Sequence, residues 1–187
     1  FGWKAQVPST LEFVGDATNA ELGLTAPEEI GSAFSRTADD DDHPDPEISV
    51  AEFEALTFFM NQQAPPAPAA RHPDAEVLFM TIGCGDCHVP KLVGLPGEIN
   101  AYTDLLLHVV AEEGTPGIAD GMATIHHFRT PPLWGLRFTA PYMHSGTAMT
   151  VEDAILAHHG EGAASRQGFL DLAADQKAAF LGFLGDL

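Results

Sequence analysis

Three side chains within one short stretch carry the reactive chemistry of this chain: Cys84, Cys87 and His88 in Gly83-Cys84-Gly85-Asp86-Cys87-His88. These are the only 2 cysteines among 187 residues, so no disulfide framework can form. The spacing admits three chemistries. A thioredoxin-like dithiol needs strands and helices alternating around it, and that pattern is missing. A structural zinc site needs a second Cys pair, or two histidines roughly three to five residues apart, and neither is cleanly present. The third is covalent haem c, for which Cys-x-x-Cys-His is the attachment signature. Two thiols on one turn can each add to a haem vinyl group. The next residue then lies beneath the iron, which makes His88 the proximal ligand. A covalently held apolar ring also gives the long Gly- and Pro-rich stretch 89–149 something to wrap.

Haem iron in electron-transfer proteins takes a second axial side chain, commonly Met or His, and Tyr in some cases. Beyond His88 the available side chains are His108, Met122, His126, His127, Tyr142, Met143, His144, Met149, His158 and His159. Composition does not choose among them.

The elements that must position these groups are mostly helical. Residues 8–22 read as a helix capped near Ser9. A second helix starts at Ser49, with Glu52 in the capping-box position and an apolar face of Ile48, Phe53, Leu56, Phe59 and Met60. Between them the acidic run Asp39–Asp42 is expected to be a solvated loop rather than a calcium site. The Pro/Ala stretch 64–73 is the best boundary, dividing a connecting segment (1–70) from a haem domain (71–187). Residues 74–88 fit either a helix or a buried strand. Residues 89–149 are expected as loops with short helical turns. Two helices follow, Thr150–His159 with Asp153 completing a capping box, and Ser165–Asp186.

Eight basic residues face 27 acidic ones, a net charge of −19. Nucleic acid and anionic membrane surfaces repel such a chain, whereas a small basic redox partner suits it. No run approaches the roughly 18–20 apolar residues that span a bilayer. No signal peptide is recognisable. The chain opens at Phe1 and is expected to be processed or excised from a longer exported protein.

The segment FRTPPLWGLRFTAPYMHSGTAMTVEDAILAHHGEG (128–162) resembles the bacterial di-haem cytochrome c peroxidase and MauG superfamily. The likeness is closer to a branch of di-haem oxidoreductases, also described as thiol oxidoreductases. That branch has counterparts of FGWKA at Phe1, of PEIS, of YTDLLLH, of FRTPPLWG and of the PYMHSG stretch. The likeness thus covers nearly the whole chain. It implies an all-α, cytochrome c-like fold with one covalent haem and long Gly/Pro-rich loops. It places His158 at the sixth-ligand position of the TVEDAILAH helix, ahead of His126, His127 and Met122. His144 then lies near the haem, bonded to a propionate or loop backbone. Arg129 and Arg137 are the candidates to pair with propionates. Thr139 and Pro141 match a stretch whose carbonyls bind calcium between haem domains. Trp3 matches an inter-haem tryptophan that relays electrons, or else packs in a core.

The chain also departs from the branch. Ser145 replaces an Asp, Thr147 an Arg, and Val109-Val110-Ala111 an Asp-Met-Gly. Above all it has one haem motif where the superfamily has two. The expectation is an electron-transfer domain whose catalytic haem lies on another domain or chain. The alternatives are a free-standing monohaem carrier and a thiol oxidoreductase using Cys84 and Cys87 directly.

Overall fold

Side chains that replace missing backbone partners open the first two helices. Ser9 accepts the Glu12 amide at 3.2 Å and starts α1 (Thr10–Leu22), which stops at Gly23 in the left-handed conformation. Ser49 and Glu52 exchange capping-box bonds at the head of α2 (Val50–Asn61). The computed structural model describes residues 1–27, 35–94 and 97–187. It divides into two compact units, Phe1–Gly2 with Gln6–Ala64, and Trp3–Ala5 with Pro65–Leu187.

In the first unit Val14, Ala26 and Phe53 form a small core with Ile48 against it. The apolar face expected on α2 is narrower than its sequence suggests. Phe53 and Thr57 are buried, while Leu56, Phe59 and Met60 are exposed, because packing on α1 covers only one stripe. The acidic run is folded by its own side chains. Asp39 accepts the Asp41 amide and Asp41 the His43 amide, while buried Thr25 donates to Asp45.

The second unit is built on α3 (Pro73–Thr81), which settles the helix-or-strand ambiguity before the Cys motif. Pro73 occupies the first turn, where its missing N–H costs nothing. The C-terminal helix α6 (Ala174–Asp186) packs on α3. Their seam is aromatic: the Phe79 ring lies 5.9 Å from Phe180, 5.7 Å from Phe183 and 6.0 Å from Tyr102. His72, at the start of α3, bonds Asp186 at 2.8 Å and ties the far ends of the pair together. Cys84 and Ile82 rest against this core.

Two expectations are corrected here. The chain is mostly helical but not all-α. Residues 89–149 contain two antiparallel ladders, β1 (Leu92–Gly94) with β2 (Gly97–Ile99), and β3 (Leu107–Val109) with β4 (His127–Arg129). Chain that leaves helices must still pair its backbone groups, and short ladders do this. The terminal stretch is also more divided than expected. It contains α4 (Val151–Leu156), a turn at Gly160–Gly162, α5 (Ala163–Leu170) and α6. The break before α6 is made by Gln176, whose side chain accepts the Ala173 amide at 3.0 Å.

Phe79 is 2 % exposed. Phe79→Ala is expected to cost about 3–5 kcal/mol, the usual range for emptying a buried aromatic site. Urea unfolding of the haem-loaded chain measures it.

Candidate functional site

Gly83 ends α3 at a φ of +88°, a value few other residues adopt, and turns the chain into a single 3₁₀ turn, Cys84–Asp86. The His88 amide closes that turn on the Cys84 carbonyl at 2.9 Å. Both thiols are free and half-buried. Burial pushes the Cys84 thiol up to about 12 and also raises that of Cys87, helped there by Asp104, Glu161 and Asp86. A redox dithiol needs the opposite shift, toward thiolate.

The His88 ring is locked by its Nδ1–H, which donates to the Tyr102 carbonyl at 2.9 Å. A carbonyl can only accept, so the tautomer follows: Nδ1 carries the proton and Nε2 keeps its lone pair. Tyr102 holds a φ of +51°, and its amide reaches back to the Pro90 carbonyl. Burial pulls the His88 pKa down to about 4, so the ring is neutral and ligand-competent near neutral pH.

His158 repeats the arrangement. The capping box of Thr150 and Asp153 starts α4, and the helix ends at Leu156, shorter than expected. His158 therefore lies just beyond the helix, and its Nδ1–H donates to the Ala154 carbonyl at 2.7 Å. Ala154 is one of the carbonyls a helix end leaves without a partner, so one bond both caps the helix and orients the ring. Burial lowers the His158 pKa as well. Among the described residues neither Nε2 has a hydrogen-bond partner. The two ring centroids lie 6.5 Å apart at an interplanar angle of 58°. Two metal–imidazole bonds of about 2 Å each, plus the two ring radii, fill that span. Two neutral imidazoles, each with its Nε2 lone pair uncommitted among the described residues, are a donor set that suits haem iron.

The other axial candidates are placed differently. Met122 is 99 % exposed, and His126 is half-buried, its amide bonded to the Thr124 hydroxyl. His127 Nδ1 accepts from the Thr124 amide at 3.2 Å.

His108 does something the sequence did not reveal. Its Nδ1 and Nε2 face carboxylates on both sides, Glu161 at 2.9 Å and Asp104 at 2.8 Å, so both nitrogens carry protons. Burial pulls the His108 pKa down, but the bonds to Glu161 and Asp104 outweigh it and leave it raised. Burial pushes the Asp104 carboxyl up, yet bonds from Leu106, His108 and Thr130 hold it below its ordinary value. Bonds from His108 and the Val109 amide lower Glu161. The group also adjoins Cys87: ligand-type atoms of Cys87, Asp104 and His108 lie within 4.8 Å of one another. No local spacing links His108 to Glu161, 53 residues away.

His144 stacks on Phe128 at 3.9 Å, and its Nε2–H donates to the Pro116 carbonyl. Trp3 is half-exposed and meets the His144 ring edge-on at 6.4 Å. Its carbonyl accepts the Arg129 amide at 2.8 Å. Lys4, unremarkable in the sequence, is buried with Nζ 3.8 Å over Phe128 and bonded to the Thr124, Ile125 and His127 carbonyls. Arg129 donates to the Thr130 carbonyl. Arg137 instead reaches α6, donating to the Gly185 carbonyl at 3.4 Å, with Asp186 4.0 Å away. Thr139 and Pro141 are exposed.

Comparison with known proteins places the chain in one family. The family described as "Di-haem oxidoreductase, putative peroxidase" matches residues 1–187, and the chain belongs to it. A curated relative, "Cytochrome-c peroxidase IdrP2" of Denitromonas iodatirespirans, is 35 % identical over 92 residues, covering 49 % of this chain and 23 % of that protein. The fold is similar to a solved structure of Kuenenia stuttgartiensis hydrazine synthase, pressurised with xenon. There the TM-score is 0.56 and the identity 19 %, over 76 % of this chain and 57 % of that one. The chain thus spans less than a quarter of the curated relative's length. No helix among the described residues is long and apolar enough to cross a membrane.

The charged bridge at His108 sets a pH window. A raised histidine contributes stability that is full below about pH 6.5 and lost as pH rises through its folded value. The lowered carboxylates contribute above about pH 4 and lose it as pH falls through theirs. The melting-temperature gap between the wild type and His108→Leu should therefore be widest near about pH 5–6 and narrow on the alkaline side. A gap unchanged at high pH contradicts a charged bridge.

Proposed function

We propose that this chain is the electron-transfer part of a di-haem oxidoreductase. In this reading it carries one covalent haem c between a redox partner and a catalytic haem on another domain or chain. The observation behind it is the pair of half-buried, neutral imidazoles 6.5 Å apart, one of which directly follows the Cys84–Cys87 turn. Family membership supports a haem-based redox role.

Cys84 and Cys87 would anchor the ring through thioethers, with His88 and His158 as axial ligands. A haem bound there supplies one-electron Fe(II)/Fe(III) chemistry, at a lower potential than a His/Met pair would give because thioether favours Fe(II). The protein's part is orientation. The Tyr102 and Ala154 carbonyls accept hydrogen bonds from the two Nδ1–H groups, fix both tautomers and raise the basicity of each Nε2. With both His88 and His158 committed to it, a haem held here would transfer electrons, and peroxide chemistry would belong to a haem elsewhere. Trp3, in edge contact with the His144–Phe128 stack, is the proposed relay toward that haem. Arg129 is the proposed propionate partner, with Arg137 the second candidate. Thr139 and Pro141 are the proposed calcium-binding carbonyls. The acidic surface suits a basic redox partner. Thioether attachment of the haem at both cysteines suits an exported, periplasmic setting.

The test begins with intact mass and a pyridine haemochrome spectrum. One haem added covalently, of c type, supports the reading, and an unmodified polypeptide mass refutes it. His158→Ala is then expected to turn a low-spin ferric spectrum high-spin. A variant that stays low-spin removes His158 from the iron. Copurification with a second haem-bearing chain separates the split enzyme from a free-standing carrier.

A further inference from the structure

The peptide segments that aim His88 and His158 are joined through one side chain, His108. On one side its Nε2–H donates to Asp104 at 2.8 Å, and the Leu106 amide holds that carboxylate at 2.9 Å. Asp104 stands two residues after Tyr102, whose carbonyl accepts the His88 Nδ1–H bond. The Tyr102 and Thr103 amides donate to the Pro90 and Val89 carbonyls, directly after His88. On the other side Nδ1–H donates to Glu161 at 2.9 Å, while the Val109 amide donates to the same carboxylate at 2.8 Å. Glu161 stands three residues after His158. The turn between them is docked on β3 and the residue that follows it. The His159 amide donates to the Val110 carbonyl at 2.8 Å, and Gly160 comes so near that a Cβ there would lie 2.3 Å from the Val109 oxygen. His108 and Asp104 are 17 % and 13 % exposed, shielded enough for charge-assisted bonds to hold a fixed geometry.

We propose that His108 is a positioning residue: held between Asp104 and Glu161, it fixes the segment carrying His158 against the segment that orients His88, and so keeps His158 in place opposite His88. This rests on reading His88 and His158 as an axial pair. His108 acts without touching the iron. Its effect is on how readily His158 leaves.

The experiment uses the haem-loaded protein and two readouts, the ferric EPR spectrum and the rate at which carbon monoxide binds the ferrous form, which requires His158 to move away. The wild type is expected to show a low-spin bis-imidazole EPR signal. His108→Leu removes both arms of the bridge. Glu161→Gln weakens one arm at a half-exposed carboxylate, so it tests the idea even if the leucine variant does not fold. Both are expected to bind carbon monoxide faster by about tenfold or more, the scale of losing one charge-assisted hydrogen bond. His108→Arg keeps N–H donors for both carboxylates and is expected to restore much of the wild-type rate. Wild-type rates and EPR in the leucine and glutamine variants, even with a lowered melting temperature, overturn the proposal. A wild type with no bis-imidazole signal overturns the axial pair itself, and the positioning role with it.

Discussion

Two backbone carbonyls govern the site. Tyr102 and Ala154 each accept a hydrogen bond from the Nδ1–H of a half-buried imidazole, and everything chemical follows from that. Without such a bond either ring could turn or change tautomer, and the free nitrogen would have no fixed direction. With it, each ring keeps one lone pair on Nε2 and a single orientation. Burial contributes the other half by holding both rings neutral, the form in which imidazole is a ligand. The constraint reaches far along the chain, because each carbonyl must itself be held. Tyr102, at a positive φ, is held by the hydrogen bond from its amide to the Pro90 carbonyl, and Ala154 by the capped helix α4.

The aromatic seam between α3 and α6 supplies the rigidity under the Cys motif. Phe79 links three jobs: it fills the core, faces the Tyr102 ring and lies 6.3 Å from the His88 ring. The segment that orients His88 is therefore packed on the helix that delivers Cys84. Opposite it, the short helix α4 is enough to carry His158, since one hydrogen bond ends the helix and aims the ring together. The result joins local stability to ligand geometry, so damage to either should appear in both.

What the sequence made legible was local. The Cys-x-x-Cys-His spacing, the caps at Ser9, Ser49 and Thr150, and the helical phase of α1 and α2 are short-range signals, and the structure has elements there. The likeness to the family brought His158 forward among many histidines, and the structure brings its ring beside His88. Other features had no local signal. Three-residue strands are too short for alternation to show, so β1–β4 were read as loop. The break between α5 and α6 falls in helix-favouring residues with no Gly or Pro, and only Gln176 at the third helical position marks it. The role of His108 depends on Asp104 and Glu161 arriving from different segments, and that is a property of the folded chain alone. Arg137 likewise reaches the end of α6, a contact 48 residues away that its place in the sequence does not signal.

As a member of the di-haem oxidoreductase family, the chain carries one haem motif and aligns with a fraction of its curated relative. The pairing of the His88 and His158 rings is what supports the proposed electron-transfer role. The most direct test is an experimental structure of the haem-loaded chain, at a resolution that shows both axial atoms of the iron. The account predicts Nε2 of His88 on one face and Nε2 of His158 on the other. An iron bound by any other side chain opposite His88, or with that position open, contradicts it.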